Sequence, residues 1–328
     1  MVSRMPSLMT CSTSHKRPAV LVASFIAVVS AMVSTAVGQE AAVSATTPLG
    51  SRLVSSLQLK PESRPQWARF SPSNPQLVLV DLDGGGLLLS LPQGKTRSIP
   101  KGLAPIGWLG GTLVVRDQKG SFQLLDAGDL TASKSLATGS LPLPWTFGKD
   151  QRLGFNLEMS GRALTTHQDK AVAAVAIEGD GRNVVDVGGR VLFRGDKKIY
   201  KIVLSPDTYK IVVYYGNTDY VLFNSLTRRT IKLPSAIHHW TWLPDSSTLL
   251  GEVSRGGKPG REEVTSTEFY IYELGSARLT PVALPPQARG LALKIFDVST
   301  EGRILVDAER VVPRQEYLGL MVLELLWK

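Results

Sequence analysis

"HHWTWLPDSSTLLGEV", residues 238–253, sets aromatic and β-branched residues ahead of a Leu-Pro-Asp-Ser turn, then starts a second apolar run. Proline presets its own φ for the first central position of a tight turn, and an Asp or Ser after it bonds back to the turn backbone. The stretch therefore reads as strand, reversal, strand. The same form recurs at "WARFSPSNPQ" from Trp67, "IGWLGG" from Ile106, "WTFGKDQ" from Trp145, "KIVLSPDTY" from Lys201 and "KIFDVSTEGR" from Lys294. Taken at the turns, the six copies fall at Pro72, Gly110, Lys149, Pro206, Pro244 and Glu301, with successive gaps of 38, 39, 57, 38 and 57 residues.

Each copy leads into a hairpin. Leu77–Leu91 turns at Asp83–Gly86, Thr112–Asp126 at Asp117–Gly120, and Lys210–Asn224 at Gly216–Asp219. Thr248–Leu274 repeats the unit around a long polar loop, "SRGGKPGREEVTS". Short apolar runs punctuated by Gly, Pro, Asn, Asp and Ser belong to sandwiches, barrels or propellers, and no segment after the leader carries helical periodicity. A period near forty residues is that of a four-stranded propeller blade, and the two long gaps carry about eighteen residues of insertion each. The expected fold is all-β: a β-propeller of four-stranded blades, six by the repeat count, or seven if "HQDKAVAAVAIEGDGRNVVDVGGRVLFRGDKK" from His167 supplies another. Closure is expected from pairing "RLVSSLQLK" at Arg52 with "YLGLMVLELLWK" at Tyr317, which removes an exposed sheet edge.

The order of a Trp strand, Ser-Pro-Asp, a branched strand and a hairpin ending in "YIYEL" or "YVLFNSLT" resembles the TolB-type propeller repeat, a WD40-like Pro-Asp repeat. Ser205-Pro206-Asp207 and Leu243-Pro244-Asp245 match it best, Ser71-Pro72-Ser73 in part. The resemblance spans residues 50 to 328 and implies architecture more than activity. Trp67, Trp108, Trp145 and Trp242 recur where an inner strand should meet the next blade. As an alternative they line a site for a glycan or a quaternary ammonium group.

The first 38 residues read as a signal peptide: Arg4, His15, Lys16 and Arg17 precede an uncharged apolar run, Ala19–Val37, that ends in small residues before Gln39. Residues 39–50 then form a flexible linker and 51–328 the propeller. Cleavage implies a periplasmic or secreted protein without a stable membrane span; the alternative is an uncleaved anchor, since the run approaches bilayer-spanning length. Cys11, the one cysteine, lies within that leader, so the remaining chain has neither disulfides nor a thiolate nucleophile. Of the net charge of +9, Arg4, Lys16 and Arg17 contribute three without offsetting acid, leaving +6 for residues 39–328. That charge is scattered in pairs such as Lys197-Lys198 and Arg228-Arg229, which argues against a nucleic-acid partner.

No Gly-x-Ser-x-Gly elbow, phosphate loop or calcium loop is present; "DLDGGG" at Asp81 and "GDGRN" read as turns. His238 and His239 are neighbours on a strand and point to opposite faces, so they do not jointly chelate a metal. A shared site would need His167 to meet acids such as Asp169 or Glu178. No catalytic, cofactor-binding or metal-binding residue is assigned, and His238, His239, Trp240 and Trp242 are the binding candidates. The function expected is a non-catalytic binding module of the cell envelope that holds a protein, a peptide or a glycan. The alternative is a lactonase- or lyase-type propeller enzyme with a divalent cation in its central channel.

Overall fold

The computed structural model describes residues 48–136 and 162–327, apart from residues 84, 92, 110, 168–169, 179–180, 187–188 and 257–263. The signal peptide, Trp145 and the turn expected at Lys149 lie outside the described residues, as does all but the end of the linker.

In chain order the strands are β1 (Leu49–Leu57), β2 (Pro65–Phe70), β3 (Leu77–Leu82), β4 (Gly85–Ser90), β5 (Lys95–Ser98), β6 (Leu103–Leu109), β7 (Thr112–Asp117), β8 (Phe122–Asp126) and β9 (Ala132–Leu136). They continue with β10 (Arg162–His167), β11 (Lys170–Glu178), β12 (Asn183–Asp186), β13 (Val191–Arg194), β14 (Lys201–Leu204), β15 (Lys210–Tyr214), β16 (Tyr220–Asn224) and β17 (Arg229–Lys232). The last are β18 (His239–Trp242), β19 (Thr248–Gly256), β20 (Val264–Glu273), β21 (Arg278–Ala283), β22 (Ala292–Val298), β23 (Arg303–Arg310) and β24 (Glu316–Leu326). The described chain is all-β; its one helical element is a 3-10 turn at Pro61–Ser63.

Four sheets are four-stranded meanders, β2–β5, β6–β9, β10–β13 and β14–β17, and the fifth is eight-stranded in the order β18-β19-β20-β21-β1-β24-β23-β22. Its halves are two more meanders, β18–β21 and β22–β24 completed by β1. The expected terminal pairing is present: β1 runs antiparallel to β24, from Gly50 opposite Leu326 to Leu57 opposite Leu320. Where β1 begins, Leu49 and Gly50 also pair parallel with Val282 and Ala283 of β21, which sews the last two meanders together. Strand β1 thus starts two residues inside the stretch expected to be linker.

The expected hairpins appear as β3–β4, β7–β8, β15–β16 and β19–β20. The third unit differs from its expected placement. Its first reversal joins His167 to Lys170, and the run from His167 supplies β11 to β13 of that same meander. One insertion therefore precedes the third unit. The other lies in the β19–β20 hairpin, whose strands reach nine and ten residues.

First strands of neighbouring meanders pack beside one another, β10 with β14, β14 with β18, β18 with β22 and β22 with β2. Trp108 near the end of β6 donates its indole N–H to the Arg69 carbonyl near the end of β2, at 3.2 Å. Trp242 at the end of β18 repeats this with the Val203 carbonyl near the end of β14, at 3.0 Å. Both bonds span the same 39 residues. The contact is a property of the repeat: indole carbon fills the space between sheets while its N–H satisfies a carbonyl facing the next sheet. The turns after these strands meet as well, with the Asp207 amide donating to Ser246 Oγ at 2.9 Å. Ser71, Ser205 and Ser299, which open three of these turns, are almost fully buried, and each accepts an amide of its own turn.

Candidate functional site

Because first strands lie side by side in register, the residues that open them converge at one end of the sheets. His239 opens β18 and Lys201 opens β14; Lys201 Nζ sits 3.3 Å from His239 Nδ1, and Thr241 Oγ1 lies 3.5 Å from Nε2. Glu252 on β19 is directly across from His239. Its carboxylate accepts the Ile295 amide of β22 at 3.3 Å, beside a bulge at Ile295–Asp297 that disturbs the regular ladder. Lys294 precedes that amide, and its ammonium lies 5.3 Å from the Phe296 ring centroid. Three strands thus bring two lysines and a histidine around one sunken carboxylate.

Burial pushes the Glu252 carboxyl above its ordinary range, against the Ile295 amide and the Lys294 and Lys201 charges, which pull it down. A carboxyl whose folded value exceeds its unfolded one adds stability that is complete below the unfolded value of about 4.3 and lost as pH rises through the folded value. Glu252→Gln keeps an acceptor for the Ile295 amide and cannot ionise. Its stability relative to the parent should therefore climb with pH across that window, measured by urea unfolding at a series of pH values. A difference that stays flat or falls would rule out a desolvated carboxylate at this position.

A second ionic contact lies at the opposite end of β22. Asp297 accepts the Phe70 amide at 2.8 Å and meets Arg69 at 3.2 Å, joining the last meander to the first. Burial raises its carboxyl, with Arg69 and the Phe70 amide opposing. Like Glu252, Asp297 satisfies an amide in the first strand of a neighbouring meander, which gives both acids a structural role.

The long β19–β20 hairpin rises at the end occupied by Lys201 and His239. Its base is held by Thr267, whose buried hydroxyl donates to the Leu293 carbonyl at 3.0 Å and accepts the Leu293 amide at 2.9 Å. Above it, Arg255 grips Glu268 through two nitrogens at 3.1 and 2.8 Å, and the Tyr270 hydroxyl donates to the same carboxylate at 2.9 Å.

The binding candidates separate in this setting. His238 precedes β18 instead of lying within it; its ring is exposed and Nδ1 accepts the Ser254 amide at 2.9 Å, while its carbonyl takes the Tyr220 hydroxyl at 2.6 Å. His239 points into the Lys201 cluster, so the two rings do diverge. Trp240 and Trp242 are core residues at 1% and 5% exposure, and Trp67 and Trp108 at 5% and 3% are equally enclosed. Their rings pack between and within sheets and offer no open face for a sugar or an ammonium group. Trp240 meets Tyr272 edge-on, and the Gly251 position beneath it has no room for a side chain: a Cβ there would lie 2.9 Å from the indole. His167 lies on β10 and Glu178 ends β11, while Asp169 lies outside the described residues. Among the described residues, no group of three or more His, Cys, Asp or Glu side chains is close enough to hold a metal. No described helix is long and apolar enough to cross a membrane.

Lys201, Glu252 and Lys294 were not among the candidates, although a signal existed. Lys201 and His239 stand four residues before the first turn residue of their repeats, and Lys294 stands five before Ser299, the extra residue being the β22 bulge.

No family model matches this sequence, and no curated protein matches it. Among solved structures, a chain from the crystal structure of the mitotic checkpoint complex aligns with a TM-score of 0.49 and 13% identity, over 86% of this chain and 95% of that one.

Proposed function

We propose that this chain is an exported, non-catalytic β-propeller with six blades of the TolB-like kind, acting in the cell envelope as a binding module for a protein or peptide. Six four-stranded meanders among the described residues support six blades over seven. The charged leader and apolar run of residues 1–38 support export. The observation that carries the binding reading is the convergence of Lys201, His239 and Lys294, from three successive inner strands, beneath the Arg255–Glu268 hairpin. Lys201 and Lys294 bring positive charge to this end of the sheets, and the exposed Lys294 carries it to the surface. An acidic side chain or a chain terminus is the complementary group.

A photo-crosslinking residue at position 294 should capture one envelope protein in cells, and Lys201→Glu should abolish that adduct. The same residue at Thr300, in the turn beyond the opposite end of β22, should capture none. Equal capture from both positions, or a stoichiometric divalent metal in the purified protein, would sink the proposal.

A further inference from the structure

The end of the sheets that carries Lys201 also holds a groove of about 850 Å³ near the rim, between Gln58–Pro61 and the β23–β24 reversal at Arg310–Tyr317. Strand β24 pairs with β23 from Glu316 onward, but with β1 only from Leu320 onward. Past Leu57 the chain turns aside into the 3-10 turn. Glu316 and Tyr317, which line the groove, are therefore left with a partner strand on one side and the groove on the other. Such a bare edge is the place where an extended peptide adds as a strand.

The charges of the groove are unequally matched. Behind Tyr317, whose hydroxyl donates to Asp307 at 2.7 Å, Arg64 pairs with Asp307 at 2.9 Å and Glu309 at 3.0 Å. Glu309 also accepts from Gln315 at 2.6 Å, and Glu316 is paired with Arg310. Every acid there is engaged. Lys60 and Arg314, exposed on opposite walls, have no acidic partner among the described residues.

We infer that this groove binds an extended acidic peptide segment of a protein partner, with backbone pairing at Glu316 and Tyr317 and carboxylates placed on Lys60 and Arg314. The volume lies within the range of about 300 to 1,000 Å³ seen for ligand clefts. Two exposed cations, with the one acid lining the groove, Glu316, already held by Arg310, select negative charge, and the open edge selects an extended chain. The site is separate from the Lys201 cluster and does not depend on what binds there.

The test is fluorescence anisotropy of the purified protein with a short labelled peptide alternating Glu and Val, beside a counterpart alternating Lys and Val. The Glu peptide alone should bind, more weakly as salt is added. A Lys60→Glu/Arg314→Glu double variant should lose roughly tenfold or more in affinity. Lys201→Glu/Lys294→Glu should leave it unchanged, which separates this groove from the central cluster. Undiminished binding by the Lys60/Arg314 variant, with its circular dichroism intact, overturns the inference. So does equal binding of the Lys peptide, or capture of phosphatidylglycerol vesicles in place of the peptide.

Discussion

Gly319→Ala should unfasten the terminal strand and lower stability by roughly 3 to 5 kcal/mol, the upper end of what one substitution costs. Gly319 sits in β24 with a φ of +94°, a conformation that side chains other than glycine rarely adopt. A Cβ there would lie 2.2 Å from the Leu57 carbonyl and 2.7 Å from the Leu59 amide. Both obstacles are backbone, so no rotamer change can make room. The chain forced away is the end of β1, which completes the last meander and joins it to β21. Gly290→Ala is the control: its φ is +70°, yet nothing lies within 4 Å of a Cβ, so only the left-handed backbone is penalised, by about 1 to 2 kcal/mol. Urea midpoints compare the two directly. If Gly319→Ala unfolds no earlier than Gly290→Ala, the crossing of β1 over β24 is wrong.

Trp242→Ala should be comparably severe, at about 3 to 5 kcal/mol, because it removes a large buried side chain that its neighbours cannot replace. The ring is 5% exposed and packs with Val212, Leu249 and Leu279. Its loss also strips the Val203 carbonyl of its donor. Trp242→Phe keeps most of the packing but removes that bond, so its penalty should be smaller, about 1 to 3 kcal/mol. Trp108→Ala should behave the same way through the Arg69 carbonyl. Trp108 lies in a different core cluster, so the two alanine substitutions should add. An alanine at 242 tolerated without loss would mean that the indole does not join the sheets.

Sequence reading located the strands and most reversals well, for a reason visible at Pro206 and Pro244. Turn chemistry is local. Asp245 shows it: burial alone would raise its carboxyl, but the Thr248 and Ser247 hydroxyls and amides hold it below the usual range. All of those donors lie within three residues of it. The third unit is the hardest to place from sequence because "WTFGKDQ" from Trp145 has no Ser-Pro or Pro-Asp pair to mark its turn. Trp240 and Trp242 look like binding residues in the sequence because a bulky aromatic on a strand reads alike whether it faces a ligand or another sheet. Only burial separates the two.

Local pattern is enough to read an all-β chain of repeated four-stranded units and to pick out the terminal strands that pair. Alternation, turn residues and period are properties of short stretches, and the chain carries them wherever it goes. Tertiary structure alone decided that Lys201, His239, Glu252 and Lys294 share one end of the sheets, and that Lys60 faces Arg314 across a groove. Those groups lie tens to hundreds of residues apart, and what brings them together is the packing of successive inner strands in register and the return of the last strand to the first.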